Sequence, residues 1–304
     1  MSKILITGGA GFIGSHLADK LIEQGNSVAI LDDLSYGREK NINPKAKFYK
    51  ADIRDIQGVS EIFEAERPEA VFHYAAQTSV VRSMADPIMD TNINVVGSLN
   101  IFKNCINYKV KKIVFPSSMG VYGNAKDLPL REDSPKDPIS PYALGKFVAE
   151  KNLGFYGLKG LDYSIIRYSN VYGPRQSSEG EGGVVSIFAS RILNNESPVI
   201  FGTGEQTRDF LYVGDAVKAA LRAMEAPKGS VYNVSTNSEV SIIGLIKNFS
   251  EKMGKEVKPV FAPAREGEIL SSRASFSLIK KELGWEPNCR FGEGLDQTIK
   301  YFES

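Results

Sequence analysis

An apolar run, Lys3-Ile4-Leu5-Ile6-Thr7, passes straight into Gly8-Gly9-Ala10-Gly11-Phe12-Ile13-Gly14 and from there into residues spaced as a helix. Glycines at this spacing between a strand and a helix constrain the backbone more than any other feature of the chain. Gly8 permits a tight turn, Gly11 lets the main chain approach a pyrophosphate, and Gly14 lets the helix pack on the strand, while the helix N-terminus offers unpaired amide donors to the anion. An ordinary strand-to-helix turn uses similar residues, so the surroundings decide. Ile13, Leu17, Leu21 and Ile22 continue at helical spacing, Gly25 ends the helix, and a second strand, Val28-Ala29-Ile30-Leu31, finishes on Asp32. An acid about 20 residues past the glycines binds the diol of an adenosine ribose and repels a 2′-phosphate. The string therefore reads as a dinucleotide site that favours NAD over NADP.

The same rhythm continues along the chain. Strand-like runs near 3–7, 27–31, 47–50, 69–73, 111–116 and 162–168 alternate with helical patterns near 12–24, 55–65, 90–108 and 141–157. This predicts an α/β fold of Rossmann type, a doubly wound parallel sheet. After Tyr168 the pattern changes to Gly- and Pro-rich punctuation, at Gly173-Pro174, in the Ser177-to-Gly183 run and at Gly202-Thr203-Gly204. The division expected is an NAD-binding domain over 1–168, to which some later segments return, and a smaller mixed α/β C-terminal lobe over 169–304, mainly for substrate. The 177–183 run reads either as a loop over a site or as a passive surface loop.

Composition excludes more than it suggests. With 304 residues, a net charge of +1 and acids and bases mixed along its length, the chain can bury a full core but offers no basic stripe for nucleic acid and no polybasic membrane segment. Its first residues are already a strand rather than a signal or a membrane span, and a cytoplasmic protein is expected. Cys105 and Cys289 belong to no CxxC pair and read as structural thiols. His16 falls on the first helix and His73 ends a strand, so no metal site is expected.

Tyr142-x-x-x-Lys146 is the second informative pattern, because residues four apart share a helix face. Ser140 and Pro141 fit the N-cap and the first helical position, which places the pair in the opening turns of a helix. A tyrosine that acts as a base near neutrality must lose about three pKa units from its reference near 10, roughly 4 kcal/mol. One neighbouring ammonium supplies about one to three units. Lys146 therefore needs a supplement, and the positive nicotinamide ring of an oxidised cofactor is the natural one; the lysine would also bridge the nicotinamide ribose. Taken alone, the spacing is common on half-exposed helix surfaces. It gains weight from Val114-Phe115-Pro116-Ser117-Ser118, a strand that delivers two serines to the carboxyl edge of the sheet, where open α/β folds bind ligands. A serine there can hold a reacting oxygen beside the tyrosine, about 10²–10⁴ in rate for a positioned acid or base. The plainer role for two serines after a strand is turn capping.

With these strings the chain resembles, nearly end to end, the extended short-chain dehydrogenase/reductase family and, within it, the NAD-dependent nucleotide-sugar epimerases and dehydratases. Beyond the glycines and the Ser/Tyr/Lys set, the resemblance rests on Asp52-Ile53, on Ala75-Ala76-Gln77 after the fourth strand, on Asn94, on the string from Arg167 to Arg175, on Arg208-Asp209-Phe210 and on Val213-Gly214-Asp215. It implies Ser118, Tyr142 and Lys146 as catalytic groups. Around NAD it implies Gly8, Gly11, Phe12, Ile13, Gly14, Asp32, Asp33, Asp52, Ile53, Ala75, Ala76, Gln77, Asn94, Ser117 and Tyr168, together with Tyr142 and Lys146. Around a sugar nucleotide it implies Thr78, Ser79, Ser118, Met119, Asn170, Val184, Phe201, Arg208, Arg265, Glu268 and Ser272. Asn170, Arg208 and Arg265 would hold the diphosphate, which suits a guanidinium fork, although surface ion pairs would use the same arginines.

The residues after Ser118 narrow the reaction. Family dehydratases carry Asp-Glu there, and related decarboxylases and GDP-mannose dehydratases a Glu at the second place. This chain has Met119-Gly120, neither able to carry a proton. The nearby Cys of 3,5-epimerising and GDP-fucose-forming relatives is also missing from the segment. The resemblance then implies an enzyme that inverts C4 of a UDP-hexose with resident NAD: C4 is oxidised, a transient 4-keto sugar turns about its diphosphate linkage, and hydride returns to the other face.

In these relatives the seventh residue after the arginine of an Arg-Glu-Gly-Asp/Glu string gates the sugar pocket, and a small residue there admits an N-acetyl group. Counted from Arg265 the gate is Ser272, with Ser271 and Arg273 one register away, so UDP-N-acetylhexosamines are expected beside UDP-glucose and UDP-galactose. A UDP-glucuronate 4-epimerase or another nucleotide-sugar oxidoreductase is the second reading, and would need a cation such as Arg82 or Arg175 facing the sugar C5 substituent. A non-catalytic NAD-binding sensor is the third. The resemblance also implies a homodimer through the helices corresponding to 90–108 and 141–157. Ile93, Val95, Val96, Leu99, Ile101, Phe102 and Ile106 spread around the first of these, which fits burial on several sides within a dimer or deep inside one chain.

Overall fold

Strands buried on both faces are the mark of a parallel sheet covered by helices, and every residue of Ile4–Thr7 and of Val28–Asp32 is buried. A computed structural model describes residues 2–178, 183–264 and 269–304. The first part runs β1 (Lys3–Thr7), α1 (Phe12–Glu23), β2 (Ser27–Asp32), β3 (Lys47–Lys50), α2 (Ile56–Glu66), β4 (Ala70–His73), α3 (Val80–Ala85), α4 (Pro87–Thr91), a π-helical segment Asn92–Gly97, α5 (Ser98–Asn107), β5 (Lys112–Ser118), a 3₁₀ turn Met119–Tyr122, α6 (Pro141–Leu158) and β6 (Asp162–Tyr168). The second runs β7 (Asn170–Tyr172), α7 (Val184–Leu193), β8 (Val199–Phe201), β9 (Thr207–Arg208), β10 (Phe210–Tyr212), α8 (Val213–Ala223), β11 (Ser230–Val234), β12 (Val240–Ser241), α9 (Ile242–Met253), β13 (Val260–Ala262), α10 (Ser277–Leu283) and α11 (Phe291–Glu303).

Seven strands form one parallel sheet in the order β11-β6-β5-β4-β1-β2-β3, an α/β fold of Rossmann type. Alternate residues of each strand feed opposite faces. Ile4, Ile6 and Phe72 pack under α1 and α8, where Leu17, Leu21 and Ala220 meet them. Leu5, Leu31 and Phe115 pack under α2, α5 and α6 with Phe63, Phe102 and Leu153. Thus α8 and β11, both beyond residue 168, complete the sheet and its cover. A separate cluster of Tyr172, Val185, Phe188, Ile200, Phe249 and Leu295 joins α7, α9 and α11. Among the described residues no helix is long and apolar enough to cross a membrane. Cys105 lies in the core with its thiol pushed up by burial, and Cys289 is half-buried; both are free.

The stretch read as one helix over 90–108 is instead α4, the π segment and α5. The wider turn has a local cause. Asn94 turns its side chain onto the Gln77 backbone, the Ser98 hydroxyl donates to the Asn94 carbonyl at 2.6 Å, and Gly97 packs so closely on Ile53 that a Cβ would stand 2.6 Å from its Cδ1. An inserted residue, rather than a regular turn, meets all three demands.

Candidate active site

In an open parallel sheet, ligands bind where the strand order reverses, and here that point lies between β1 and β4. Gly8 leaves β1 at φ +72 and passes so near the end of β4 that a Cβ on it would stand 2.5 Å from the Ala75 nitrogen. A cavity of about 650 Å³ opens there and runs along the carboxyl ends of the strands. It is lined by Gly8, Gly11, Phe12, Ile13, Gly14, Asp32, Asp33, Asp52, Ile53, Ala75, Ala76, Gln77, Ser117, Tyr142, Lys146 and Tyr168 of the expected cofactor set, and by Thr78, Ser79, Ser118, Met119, Asn170, Arg208 and Ser272 of the expected substrate set. Asn94 sits one layer behind, buried, with its amide on the Gln77 carbonyl. Val184 and Phe201 do not line the cavity. Arg265 and Glu268 lie outside the described residues, as do residues 179–182 of the 177–183 run, whose ends, Ser177 and Gly183, both reach the wall.

At one end the geometry suits a dinucleotide. No side chain caps α1 at Gly11, so its first-turn amides face the cavity with Phe12, Ile13 and Gly14. A Cβ on Gly14 would overlap the Gly8 carbonyl, which is why helix and turn can close this tightly only with glycine. Asp32 accepts the Ala10 amide at 3.0 Å and the Leu34 amide at 2.9 Å, one on each oxygen. Further lone pairs stay available for a diol. Burial pushes its carboxyl above the ordinary value, opposed by these two bonds. Asp52 is held below its ordinary value by the Arg54 guanidinium. These residues fit NAD: an anion cradle, a diol acceptor and a long cavity between them.

At the other end, Ser118, Tyr142 and Lys146 converge. Ser140 caps α6 through the Ala143 amide at 3.2 Å with Pro141 in the first turn, as the sequence predicts. The Ser118 hydroxyl lies close enough to the Tyr142 phenol to oppose the rise that burial imposes on it, and its Oγ accepts the Gly120 amide at 3.1 Å. Lys146 donates from Nζ to the Pro116 carbonyl at 3.0 Å and lies 5.0 Å from the Phe115 ring centroid. Burial moves both groups away from charge: Tyr142 is pushed up to about 12 and Lys146 down to about 8. A neutral phenol is therefore the resting state, and the deficit that must be made up by positive charge is larger than the three units expected from the sequence.

Behind the pair lie two groups that sequence reasoning missed. Asp90 is buried on α4 and accepts the side-chain amides of Gln77 and Asn94. Glu150, one turn beyond Lys146, is buried in a two-pronged ion pair with Arg167, at 3.0 and 2.7 Å. Helical spacing from Lys146 could have flagged Glu150. No local pattern marks Asp90. Tyr36, Gly37, Arg38 and Asn41 also line the cavity, from the loop after β2.

The substrate end gathers residues from both parts of the chain. Met119, buried in a small cluster with Val121, Tyr122, Leu130 and Ala274, presents an apolar wall. Ser272 also lines the cavity, and its buried hydroxyl has no hydrogen-bond partner among the described residues. The neighbours one register away turn elsewhere: Ser271 hydrogen-bonds Glu239, and Arg273 forms an ion pair with the same carboxylate at 3.6 Å. Asn170 and Arg208 also line the cavity, Arg208 with one guanidinium nitrogen on the Thr207 carbonyl at 2.8 Å. Arg175 reaches the wall too, tied at 2.7 Å to Asp19 of α1, whereas Arg82 is stacked over the Tyr36 ring.

Comparison with known proteins gives a consistent picture. The model of the NAD dependent epimerase/dehydratase family matches residues 4–235. The chain is 41% identical to the UDP-glucose 4-epimerase of Mycolicibacterium smegmatis, over 99% of each. Among solved structures it is similar to the Thermotoga maritima UDP-glucose 4-epimerase with UDP-glucose, at TM-score 0.97 and 44% identity over 99% of this chain and 98% of that one. It is also similar to the Thermus thermophilus UDP-glucose 4-epimerase in complex with NAD, at TM-score 0.94 and 38% identity over 99% of both.

Proposed function

The chain belongs to the NAD-dependent epimerase/dehydratase family, and from that premise we propose that it inverts C4 of a UDP-hexose, interconverting UDP-glucose and UDP-galactose with NAD held as a resident cofactor. One observation carries the reading: Ser118, Tyr142 and Lys146 meet on the same cavity as the glycine cradle, with Met119 and Gly120 where a second acid or base would stand. When bound, oxidised NAD would supply an acceptor for the C4 hydrogen with its electron pair and a positive charge that favours the phenolate. Tyr142 takes the proton of the C4 hydroxyl as C4 is oxidised, and returns it to the 4-keto oxygen once the sugar has turned over. Ser118 holds that oxygen in line with the phenol, and the Lys146 ammonium favours the phenolate. Met119 keeps water from the reacting carbon. Arg208 and Asn170, with Arg265, hold the diphosphate about which the sugar turns.

Ser272, small and on the cavity wall, leaves room for an N-acetyl group, so UDP-N-acetylhexosamines belong to the substrate range. A glucuronate substrate would need a cation at the sugar; Arg82 is stacked on Tyr36 and off the cavity wall, and Arg175 is tied to Asp19 through Nη2 with its buried Nη1 left without a partner among the described residues. The working form is a homodimer through α4 to α5 and α6, supported by exposed Ile88, Val96, Leu144, Phe155 and Leu158 on these elements. A nicotinamide cofactor and a nucleotide-sugar substrate suit the cytoplasm. The test is incubation of the purified chain with a panel of UDP-sugars and no added NAD, with C4 epimers read by chromatography. Conversion of UDP-galactose to UDP-glucose is expected, and no epimer from any sugar, even with NAD supplied, overturns the reading.

A further inference from the structure

Asp90 is a carboxylate to which the reaction so far gives no task. It is fully buried on α4. Its Oδ1 accepts from the side-chain amides of Gln77 at 2.7 Å and Asn94 at 2.9 Å. Its Oδ2 is buried with no hydrogen-bond partner among the described residues and faces α6, where a Cβ on Gly145 would stand 3.3 Å away. A buried anion with one oxygen unpaired is strongly unfavourable unless a cation answers it. Gly145 is followed by Lys146, a buried ammonium that meets a neutral carbonyl and an aromatic face. The other anion near Lys146, Glu150, is neutralised by Arg167.

We propose that Asp90 is a positioning residue, the counter-charge that keeps the Lys146 ammonium protonated and fixed beside Tyr142 while its bonds to Gln77 and Asn94 hold that wall of the cavity. The assignment rests on the reading of Tyr142 and Lys146 as the working pair. An anion favours the protonated form of an ammonium and of a phenol alike. Asp90 accordingly opposes, ahead of Glu150, the burial that lowers Lys146, and it adds to the burial that raises Tyr142. The remaining charged or titratable groups around the pair are accounted for: His73 on β4 is held neutral by burial, Arg82 on α3 is turned out over Tyr36, and Asp86 caps α4 at the surface.

Asp90→Asn keeps the size and one acceptor and removes the charge. In the NAD-loaded protein both limbs of kcat against pH, the acidic one set by Tyr142 and the alkaline one by Lys146, are expected to move together to lower pH by about one unit. Lys146 itself, followed by NMR of its ε-carbon in selectively labelled protein without substrate, is expected to titrate lower by a similar amount. Asn94→Ala removes one of the same hydrogen bonds but leaves the charge, and should lower turnover with both limbs in place. Limbs or a Lys146 titration unmoved in Asp90→Asn overturn the proposal, as do limbs that move equally in Asn94→Ala. An Asp90→Asn protein that does not fold overturns it too, because the carboxylate would then be a structural group. A wild-type chain that epimerises no UDP-sugar sinks the functional reading instead, and the Lys146 titration still judges Asp90.

Discussion

At Tyr142 the fold and the chemistry oppose one another: burial holds the phenol up to about 12, and a base near neutrality must give up its proton. The gap is about five units, or roughly 7 kcal/mol, and one neighbouring cation closes only about one to three of them. One cation is not enough, which ties proton removal to the further positive charge that an oxidised cofactor would bring. Tyr142→Phe should therefore lower turnover by at least about 10²–10⁴ while NAD remains bound, measured as epimer formed and as cofactor released on denaturation. Turnover unaffected by this change would remove the phenol from the mechanism. The spacing of Tyr142 and Lys146 and the serines ending β5 were legible in the sequence because each lies in a contiguous string. Asp90 was not, since Asn94 is one helical turn away but Gln77 and Gly145 come from two other segments that only the fold brings to it.

His73 shows the same opposition in a residue away from the reacting atoms. The Thr7 hydroxyl bonds its Nδ1 at 2.6 Å and its Nε2 reaches the Ser98 hydroxyl at 3.0 Å, which in turn donates to the Asn94 carbonyl. Because Thr7 also accepts the Ala75 amide, the chain of bonds is satisfied by a neutral ring protonated at Nε2. Burial, aided by Lys146, lowers its pKa to about 3, below the value near 6.5 of the unfolded chain. Between those limits the unfolded chain binds the extra proton. The contribution of His73 to stability is intact above about pH 6.5 and is lost as pH falls toward 3, at up to about 1.4 kcal/mol per unit. Denaturant unfolding from pH 7 to pH 5 should show a shallower decline in His73→Gln than in the wild type, and equal slopes would mean that another group titrates.

Among the helices, α6 was the most legible, because its cap, its first-turn proline and the Tyr142/Lys146 pair follow one another in sequence. The helix read over 90–108 was only partly so. An apolar residue every three or four positions is compatible with a regular turn or with one extra residue in it, and the choice is made by tertiary contacts at Asn94, Gly97 and Ser98. The wider turn leaves Ile101 and Phe102 fully buried while Val96 stays exposed. Next to it, Ile88 at 74%, Phe155 at 65% and Leu158 at 85% exposure are large apolar groups in water on elements that pack together. Covering each is worth about 1.5–3 kcal/mol. Ile88→Arg or Phe155→Arg should therefore weaken self-association by at least about tenfold, read by sedimentation velocity across a dilution series. A chain that sediments as a monomer before any substitution would remove this face from consideration.

Across the whole molecule, the sheet was legible up to β6 because strands and helices alternate by one rule, whereas β11 enters it only after a long excursion through β7 to α8. No periodicity announces which late strand returns. That excursion is also what makes the sugar end of the cavity a seam: Met119 comes from the turn after β5, and Ser272 from a strand-free stretch more than a hundred residues later. The backbone on the late side is well fixed, since the Ser272 carbonyl accepts the Asp209 amide at 3.2 Å and the buried Asp209 carboxylate in turn accepts the Thr236 and Asn237 amides at 2.8 and 3.0 Å. A larger side chain at 272 therefore projects into the cavity rather than shifting the backbone that carries it. Ser272→Tyr should keep turnover of UDP-galactose within about tenfold and lower that of UDP-N-acetylgalactosamine by on the order of 10² or more, because a filled pocket rejects added bulk far more strongly than it loses a smaller ligand. Both rates are read by chromatography of the C4 epimers. Equal losses for the two sugars would show that the seam, although it bounds the cavity, does not set which hexose enters.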